Sequence, residues 1–302
     1  MKAIRRFLRY DNLGWLYVLP ALVYMLALTG WPIVSNIMLS LQDVTVRTLR
    51  LTEKPFVGLA NYQTLFEGGV LTSAIFNTLL FTVLCLVFQF VIGFLLALFF
   101  NRSFATAKFV RGLLMMPWMI PITVTALIFK FIFGTDVGIL NQALVGLGLI
   151  AKPVEWLTQP GTAMAALIVA NVWIGIPFNM ILLSVGLSTV PRELYESASI
   201  DGANAWQSFR HITLPMIRSS IESVLILGFI YTFKVFDLVF VMTGGGPVNA
   251  TQMLSTYSYK QSFMMFKYGE GAAIANVLFV ILMIAAAVYL KFAYNDGEED
   301  AR

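Results

Sequence analysis

Six long stretches of mostly apolar residues determine what this chain can fold into. They cover about residues 14–34, 73–100, 110–133, 162–186, 219–242 and 272–292. An α-helix needs roughly 20 such residues to cross the hydrocarbon core of a membrane, which is about 30 Å thick. Because every backbone polar group must be hydrogen-bonded inside that core, each stretch is expected to cross it as a helix. The sequence therefore predicts an all-α, polytopic membrane protein with six transmembrane helices.

The balance of apolar and charged residues agrees with this prediction. Of the 302 residues, 59% are hydrophobic and only 12% are charged, whereas soluble domains carry roughly 25% charged residues. The net charge of +4 is not concentrated in a basic stripe, which argues against nucleic acid as a partner. A single cysteine, Cys85, excludes an internal disulfide and a cysteine metal cluster and is expected to act as a small apolar residue.

The N-terminus is basic, as the start of a signal peptide is. The apolar run that follows, however, contains Trp15 and Tyr17 and has no convincing small-residue cleavage site. We therefore interpret residues 1–13 as a cytoplasmic tail and residues 14–34 as an uncleaved first span.

The distribution of Lys and Arg predicts the orientation, because cytoplasmic loops carry an excess of both. With a cytoplasmic N-terminus, twelve of these residues lie on the inner side: Lys2, Arg5, Arg6, Arg9, Arg102, Lys108, Arg111, Arg192, Arg210, Arg218, Lys291 and Arg302. Six lie on the outer side: Arg47, Arg50, Lys54, Lys152, Lys260 and Lys267. Both termini are therefore expected inside, and residues 293–302 form an acidic cytoplasmic tail.

The segments between the spans define the expected domain organisation. Residues 35–72 form a long outer loop, in which residues 56–62 predict a turn followed by an aromatic anchor at the interface. Residues 73–292 form the core with spans two to six. Within that core a polar cytoplasmic stretch, segment 191–215, separates spans four and five.

The fifth window contains ionisable residues, which are costly inside a membrane and usually face a partner or a wet cavity. Glu222 is expected to reach the inner headgroups with its carboxylate. Lys234 and Asp237 are three residues apart, so on one helix they would share a face. Either they neutralise each other or they line a polar pathway, and the sequence leaves both interpretations open.

Prolines in the third window point to a solute pathway rather than a static anchor. Pro117 and Pro121 remove helix hydrogen bonds and should kink this span. Thr123 and Thr125 are available to satisfy the backbone groups that the kink frees.

The fourth window has a patterned face. Asn171, Gly175 and Phe178 follow i, i+4, i+7 spacing and so lie on one side of a helix. An amide, a stretch of bare backbone and an aromatic ring suit a polar ligand the size of a sugar. Ordinary helix packing by Gly and Asn explains the same residues equally well.

Segment 191–215 predicts a helix-turn-helix outside the membrane. Glu193 suits the first turn of a helix, where negative charge meets the positive end of the dipole. Asp201 and Gly202 permit a sharp turn, and Asp201 is expected to cap the next helix. Pro215 then closes the segment before span five begins.

The same segment is more apolar than a solvated loop needs to be, through Tyr195, Ala198, Trp206 and Phe209. An exposed apolar patch rimmed by charge usually marks a protein interface. An amphipathic helix lying on the inner leaflet would have a similar composition. On composition alone, the two interpretations are about even.

A longer pattern runs through the segment: Glu196-Ser-Ala198-x-x-Asp201-Gly202-Ala203, then Ile212 and Leu214-Pro215. It resembles the EAA loop of bacterial ATP-binding-cassette import permeases, with Ser197 in place of the common second alanine. Other motifs resemble the sugar-importing, MalF-like branch: Phe56-Val-Gly-Leu59, Asn61-Tyr62, Met116-Pro117, Asn171-x-Trp173, Thr243-Gly-Gly-Gly-Pro247 and Tyr268-Gly269. The resemblance covers nearly the whole chain and implies the type I importer fold of MalF-like and MetI-like permeases.

The resemblance implies a transport subunit that works with separate partners. In the family the EAA loop docks on a cytoplasmic ATPase, and the matching positions are Glu196, Ala198, Asp201, Gly202, Ala203, Ile212 and Pro215. The implied partners are a second, MalG-like permease subunit, a dimer of ABC ATPases, an extracytoplasmic solute-binding protein, a carbohydrate and the lipids of a bacterial inner membrane. ATP and Mg²⁺ would bind the ATPases, because this chain has no Gly-Lys dipeptide and hence no P-loop. The chain itself is expected to be no enzyme and to bind no cofactor or metal.

The resemblance also implies a substrate pathway and an alternating-access mechanism driven by the ATPases. The positions carried over from the family are Thr125, Asn171, Ile174, Gly175, Phe178, Gly228 and Thr232. Two other hypotheses remain: a self-sufficient ion-coupled transporter or channel that uses Glu222, Lys234 and Asp237, and a membrane scaffold. The sequence does not specify which sugar is carried.

Overall fold

The structure is a computed structural model and describes residues 10–101 and 105–299. Within these residues the secondary structure is helical, with isolated β-bridges and no strand. The helices are α1 (Tyr10–Met25), α2 (Trp31–Ser40), α3 (Ala60–Glu67), α4 (Val70–Phe100), α5 (Ala107–Met119), α6 (Ile122–Ile132), α7 (Ile139–Gly146), α8 (Pro160–Ser188), α9 (Arg192–Ile200), α10 (Ala205–Ser208), α11 (Leu214–Met216), α12 (Arg218–Phe233), α13 (Asp237–Met242), α14 (Leu254–Tyr259) and α15 (Tyr268–Glu299). Short π-helical segments occupy Leu26–Gly30, Phe209–Thr213 and Lys260–Met264.

Four helical stretches of the described chain are long and apolar enough to cross a membrane: Tyr17–Ser40, Val70–Phe100, Pro160–Ser188 and Tyr268–Lys291. Two further pairs of helices pass the same test but are bent, α5 with α6 by 96° and Ala205–Met216 with α12 by 65°. If each bent pair is one span, the number of spans rises to six. The all-α, polytopic fold class is thus confirmed.

The chain divides into two units, of which the first contains the described residues of 1–67 together with 258–277. A network of polar side chains holds this unit together. The Asn276 amide donates to Ser40 Oγ at 2.9 Å and to the Tyr62 hydroxyl at 3.1 Å, and it accepts from Asn36 Nδ2 at 2.7 Å. Asn61 Nδ2 also donates to the Ser40 carbonyl at 2.8 Å. Because buried polar groups are costly unless hydrogen-bonded, these contacts fix the end of α2.

This network bears on two predictions. The first span does not end at residue 34, because α2 continues to Ser40 and its polar residues find partners in the network. Tyr62 is half-buried and its hydroxyl donates to Ser40 Oγ at 2.9 Å, and its expected place at the membrane interface stays a prediction. The predicted turn before it is present, with Gly58 at φ +57°.

The second unit contains residues 68–257 and the described residues from 278 onward. Its centre is the packing of α4 against α8. A Cβ on Gly93 of α4 would lie 2.5 Å from Asn179 Cβ and 3.1 Å from the Met180 backbone nitrogen. Glycine at this position therefore permits the two helix backbones to approach closely.

The third predicted span is broken rather than merely kinked. Helix α5 ends at Met119, Pro121 has an extended ψ of 135°, and α6 begins at Ile122. Proline lacks the N–H that a continuous helix needs, which explains the break. The expected help from Thr125 was wrong, because its buried hydroxyl has no hydrogen-bond partner among the described residues.

The fifth predicted window, 219–242, is not one helix either. Helix α12 ends at Phe233, and α13 starts only at Asp237. At the break, the Ser255 hydroxyl donates to the backbone carbonyl of Val235. Lys234 and Asp237 therefore lie on opposite sides of the break, and the prediction that they share a helical face was wrong.

The carboxylate of Glu222 has a partner within its own helix. Arg218 Nε donates to Glu222 Oε1 at 2.9 Å, with i, i+4 spacing. Glu222 thus forms an ion pair in the first turns of α12, and its expected position near the inner headgroups stays a prediction.

Candidate functional site

A cavity of about 450 Å³ lies within the second unit, between residues of α4, α5, α8, α12 and the break that follows α12. Its volume suits a small polar ligand. The lining residues are Gln89, Trp118, Ile120, Ile122, Asn171, Ile174, Gly175, Phe178, Gly228, Tyr231, Thr232, Lys234, Val235, Phe236 and Asp237.

One wall of the cavity is built where Gln89 of α4 meets α8. Gln89 Nε2 donates to the backbone carbonyl of Asn171 at 3.0 Å, and the Gln89 side chain is buried. A Cβ on Gly175 would overlap the carboxamide of Gln89. Glycine at position 175 thus makes the room that Gln89 occupies, and both residues line the cavity.

A second wall is aromatic. The rings of Trp118 and Phe178 have centroids 6.2 Å apart, and Phe178 meets Tyr231 edge to face with centroids 5.9 Å apart. These spacings lie in the range that aromatic pairs prefer. Because Trp118 and Tyr231 are largely exposed, this wall offers aromatic surface to a ligand.

Two side chains of opposite charge face the cavity at the break after α12. The ammonium of Lys234 lies 5.3 Å from the centroid of the Tyr231 ring, a cation–π distance. Asp237, the first residue of α13, is exposed. In the described part of the chain, neither residue takes part in an ion pair.

The structure brings six of the seven residues predicted for the pathway to this one cavity: Asn171, Ile174, Gly175, Phe178, Gly228 and Thr232. Thr125 is the exception, since it is completely buried in α6 and does not line the cavity. Packing also favours glycine at position 228, because a Cβ there would lie 2.8 Å from Leu86 Cδ2. The assignment of these residues to a substrate pathway stays a prediction.

Sequence reasoning missed several lining residues, above all Gln89, Trp118 and Tyr231. Gln89 could have been noticed, because it and Asn77 are the two side-chain amides in the very apolar run of 73–100. Trp118 and Tyr231 look like ordinary aromatic residues of a span, so nothing in their local sequence distinguishes them.

Segment 191–215 folds as two short helices around a tight turn. Helix α9 ends at Ile200, and Gly202 follows with φ +80°, a left-handed conformation that favours glycine. The expectation that Asp201 caps the next helix was wrong. Asn204 does so instead, because its side chain accepts from Gln207 N and the Gln207 side chain accepts from Asn204 N, a capping box.

One face of this segment packs on the long helices of the second unit. The ring of Phe209 lies against that of Phe94 of α4, with centroids 5.9 Å apart. The Tyr195 hydroxyl and Thr213 Oγ1 are 2.9 Å apart in a hydrogen bond. Tyr195 and Ile212 pack against a buried cluster that contains Leu183 of α8. The segment is therefore fixed to helices that also line the cavity.

The other face of the segment is exposed. Ile200 is 86% exposed and Trp206 is 66% exposed, which is unusual for large apolar side chains. Of the positions predicted for ATPase contact, Glu196, Asp201, Gly202 and Pro215 are exposed, whereas Ala198, Ala203 and Ile212 are partly buried. Their role in docking stays a prediction.

An apolar helical bundle with a cavity of polar and aromatic residues is typical of polytopic membrane transport proteins. Residues 89–295 match the family described as "Binding-protein-dependent transport system inner membrane component". Since this match covers more than two thirds of the sequence, the chain belongs to that family of transport permeases.

Relatives and solved structures agree with this assignment. The chain is 34% identical to the trehalose/maltose transport system permease protein MalF of Thermococcus litoralis, with 94% of each chain covered. It is 31% identical to the sulfoquinovosyl glycerol transport system permease protein SmoG of Agrobacterium fabrum, covering 96% of this chain and 94% of that protein. Its structure resembles a chain of a bacterial alginate ABC transporter in complex with a periplasmic protein bound to alginate pentasaccharide. That likeness has a TM-score of 0.78 at 26% identity and covers 95% of this chain and 94% of the other.

Proposed function

We propose that the protein is the permease subunit of an ABC importer that carries a carbohydrate across the cell membrane, driven by separate ATPase subunits. One observation carries the proposal: α4 and α8 provide residues both to the cavity, through Gln89 and Asn171, and to the packing of segment 191–215, through Phe94 and Leu183. A force applied to the segment therefore reaches the walls of the cavity through rigid helices.

The chemistry of the cavity supports a carbohydrate. Sugars present hydroxyl groups that both donate and accept hydrogen bonds, and apolar faces of C–H groups that pack on aromatic rings. The cavity offers the amides of Gln89 and Asn171, the hydroxyl of Thr232 and the rings of Trp118 and Tyr231. The curated relatives described above are named as permeases for sugars or sugar derivatives, which agrees with this substrate class.

The exposed face of segment 191–215 supports docking on an ATPase. Ile200 and Trp206 are too exposed for a segment that only connects two spans, and Glu196 and Asp201 add charge at the rim. An apolar centre with a polar rim is typical of protein interfaces. We place this face and both termini in the cytoplasm, where ATP binding and hydrolysis by the partner would move the segment, and we assign ATP and Mg²⁺ to that partner alone.

The remaining partners follow from the family. A second, MalG-like permease subunit would complete the pathway around the exposed residues of the cavity, and an extracytoplasmic binding protein would deliver the sugar. Alternating access needs a bundle with two stable states, biased by the ATPase cycle. We expect the bend between α5 and α6 and the break between α12 and α13 to be the places where the helices change direction between these states.

The test uses the complete transporter with point substitutions in the turn of segment 191–215. Gly202→Asp and Glu196→Lys should abolish sugar uptake and co-purification of the ATPase while the chain still inserts into the membrane. Gly148→Asp is the matched control for the glycine, because Gly148 also has a positive φ, of 69°, and no atom lies within 4 Å of its Cβ position. Normal uptake in both Gly202→Asp and Glu196→Lys would refute the proposal.

The competing hypothesis is a self-sufficient transporter that uses the charged residues at the break after α12. Vesicles that contain only this chain distinguish the two. Ion-gradient-driven uptake without ATP would favour that hypothesis, whereas uptake that requires the ATPase, ATP and the binding protein favours the importer.

A further inference from the structure

Lys234 and Asp237 are the two charged residues that line the cavity within the described chain. They lie three residues apart across the break between α12 and α13. Ionisable groups in a membrane-spanning region are costly, and they usually pair with each other or line a functional path. Since these two side chains are close in sequence and opposite in charge, a merely structural role predicts that they pair.

They do not pair. The ammonium of Lys234 lies over the Tyr231 ring at 5.3 Å from its centroid instead of on the carboxylate of Asp237. Asp237 is the first residue of α13, is exposed, and takes part in no ion pair within the described chain. Each charge is thus held separately and faces the same cavity. An ammonium that only donates and a carboxylate that only accepts remain free for a ligand.

We propose that Lys234 and Asp237 determine specificity by binding hydroxyl groups of an uncharged saccharide from two sides, with the Tyr231 ring beneath the sugar. This inference rests on the proposed function and names the class of substrate more closely. A hydroxyl group accepts from the ammonium through its oxygen and donates to the carboxylate through its hydrogen. Such charge-assisted hydrogen bonds are roughly twice as strong as those between neutral groups.

The balance of charge selects against ionised sugars. A sugar acid would be attracted by Lys234 and repelled by Asp237, and an amino sugar would meet the reverse. The polar residues on the other walls, Gln89, Asn171 and Thr232, carry no charge that would favour either ion. An uncharged saccharide uses both residues without repulsion, so the cavity as a whole favours it.

The experiment measures sugar binding at the permease in the absence of the binding protein, which would itself select the sugar. The complete transporter is reconstituted in nanodiscs without binding protein, and saturation-transfer difference NMR compares three probes: trehalose, glucuronate and glucosamine. We expect transfer to trehalose and much less to the two ions. Lys234→Gln and Asp237→Asn should each weaken trehalose binding about tenfold, the usual effect of losing a hydrogen bond to a charged group.

Controls separate recognition from folding. Lys152→Gln and Asp136→Asn remove exposed charges outside the cavity and should change nothing. Lys234→Arg keeps the positive charge and should retain the preference for trehalose. Each variant must still co-purify with the ATPase, which shows that it is folded and assembled.

Other outcomes overturn the inference. If glucuronate binds best, and binds better in Asp237→Asn, the cavity selects acidic sugars. If glucosamine binds best, and binds better in Lys234→Gln, it selects amino sugars. The inference is also contradicted if there is no saturation transfer to trehalose, or if neither substitution changes trehalose binding. None of these results touches the coupling experiment on Gly202 and Glu196, so the proposed function can stand while this inference fails.

Discussion

The ring of Phe209 in segment 191–215 packs against the ring of Phe94 in α4, with centroids 5.9 Å apart. Phe94 in turn stacks on Phe90 at 5.6 Å, and Phe90 follows Gln89 in the sequence of α4. Gln89 is hydrogen-bonded to the carbonyl of Asn171 in the cavity wall. Packed aromatic rings and the backbone of α4 therefore join segment 191–215 to Gln89 in the cavity wall.

We predict that Phe209→Ala uncouples ATP hydrolysis from transport. Removing the ring deletes its contact with Phe94, and aromatic pairs of this kind contribute about 0.5–1.5 kcal/mol beyond the area that they bury. The ring of Phe209 also stacks on that of Trp206, with centroids 5.6 Å apart, whereas Ile200 lies outside this aromatic pair. Uptake should fall several-fold while the ATPase still co-purifies, and the ratio of ATP hydrolysed to sugar transported should rise.

Phe88→Ala is the control, because Phe88 lies in α4, the helix of Phe94, but is about half exposed and is not among the residues that line the cavity. It should leave the ratio of ATP to sugar unchanged. If Phe209→Ala and Phe88→Ala behave alike, the contact with Phe94 does not transmit force.

A second prediction concerns the exposed apolar face. Ile200→Ser should weaken ATPase binding by about tenfold or more if Ile200 is a central anchor of the interface, because such anchors contribute at least about 2 kcal/mol. Val248→Ser is the comparison, since Val248 is 94% exposed but lies outside segment 191–215. Affinity is measured by titrating the ATPase onto the permease in nanodiscs. If the two substitutions change the ATPase affinity equally, Ile200 makes no specific contribution to ATPase binding.

A third prediction tests the close contact at Gly175. Gly175→Ala places a methyl group where the Gln89 carboxamide lies, so we expect Gln89 to move and its hydrogen bond to Asn171 to break. Uptake should fall sharply. Gly161→Ala in the same helix meets no atom within 4 Å and should be neutral or slightly stabilising, because alanine favours helix by up to about 1 kcal/mol.

Shortening the opposing side chain separates the packing effect from the loss of function. In the double variant with Gln89→Ala, the new methyl group has room, so the thermal stability lost in Gly175→Ala should return. Uptake should stay low, because the amide that lines the cavity is gone. Recovery of uptake together with stability would show that Gln89 only packs and does not contact the substrate.

The face of α8 could be predicted from the sequence, whereas the opposite wall could not. Asn171, Gly175 and Phe178 are placed together by helical spacing alone, and that geometry holds whatever surrounds the helix. Gln89 reaches the same site from another helix, and the spacing within one helix carries no information about which helices pack together. Thr125 was misplaced for the same reason, since its face of α6 turns into the core.

The breaks in the helices also show which features the sequence of a single helix can predict. Pro121 made a distortion of the helix predictable, because proline lacks an N–H. The sequence predicted a kink at this place, and the structure shows a break. The break between Phe233 and Asp237 contains no proline or glycine and lies in an apolar window. It is stabilised from outside the helix, by the Ser255 hydroxyl on the Val235 carbonyl and by the packing of α13 on α6.

A fourth prediction concerns the polar network of the first unit. Asn276→Leu removes the amide that donates to Ser40 and Tyr62 and accepts from Asn36, and it leaves these groups without that partner. Each buried polar group that loses its partner costs about 1–3 kcal/mol. The thermal midpoint, followed by size-exclusion chromatography after heating, should fall by several degrees. Gln63→Leu in α3 is the control, because Gln63 is exposed and outside the network.

The double variant Asn36→Leu with Asn276→Leu decides whether hydrogen bonding is the cause. Replacing both partners by apolar groups leaves fewer unpaired polar atoms than replacing one, so the double variant should lose less stability than the sum of the two single variants. Additive losses would contradict this explanation and would assign the effect to side-chain shape. A midpoint for Asn276→Leu equal to that of Gln63→Leu would show that the network does not stabilise the end of α2.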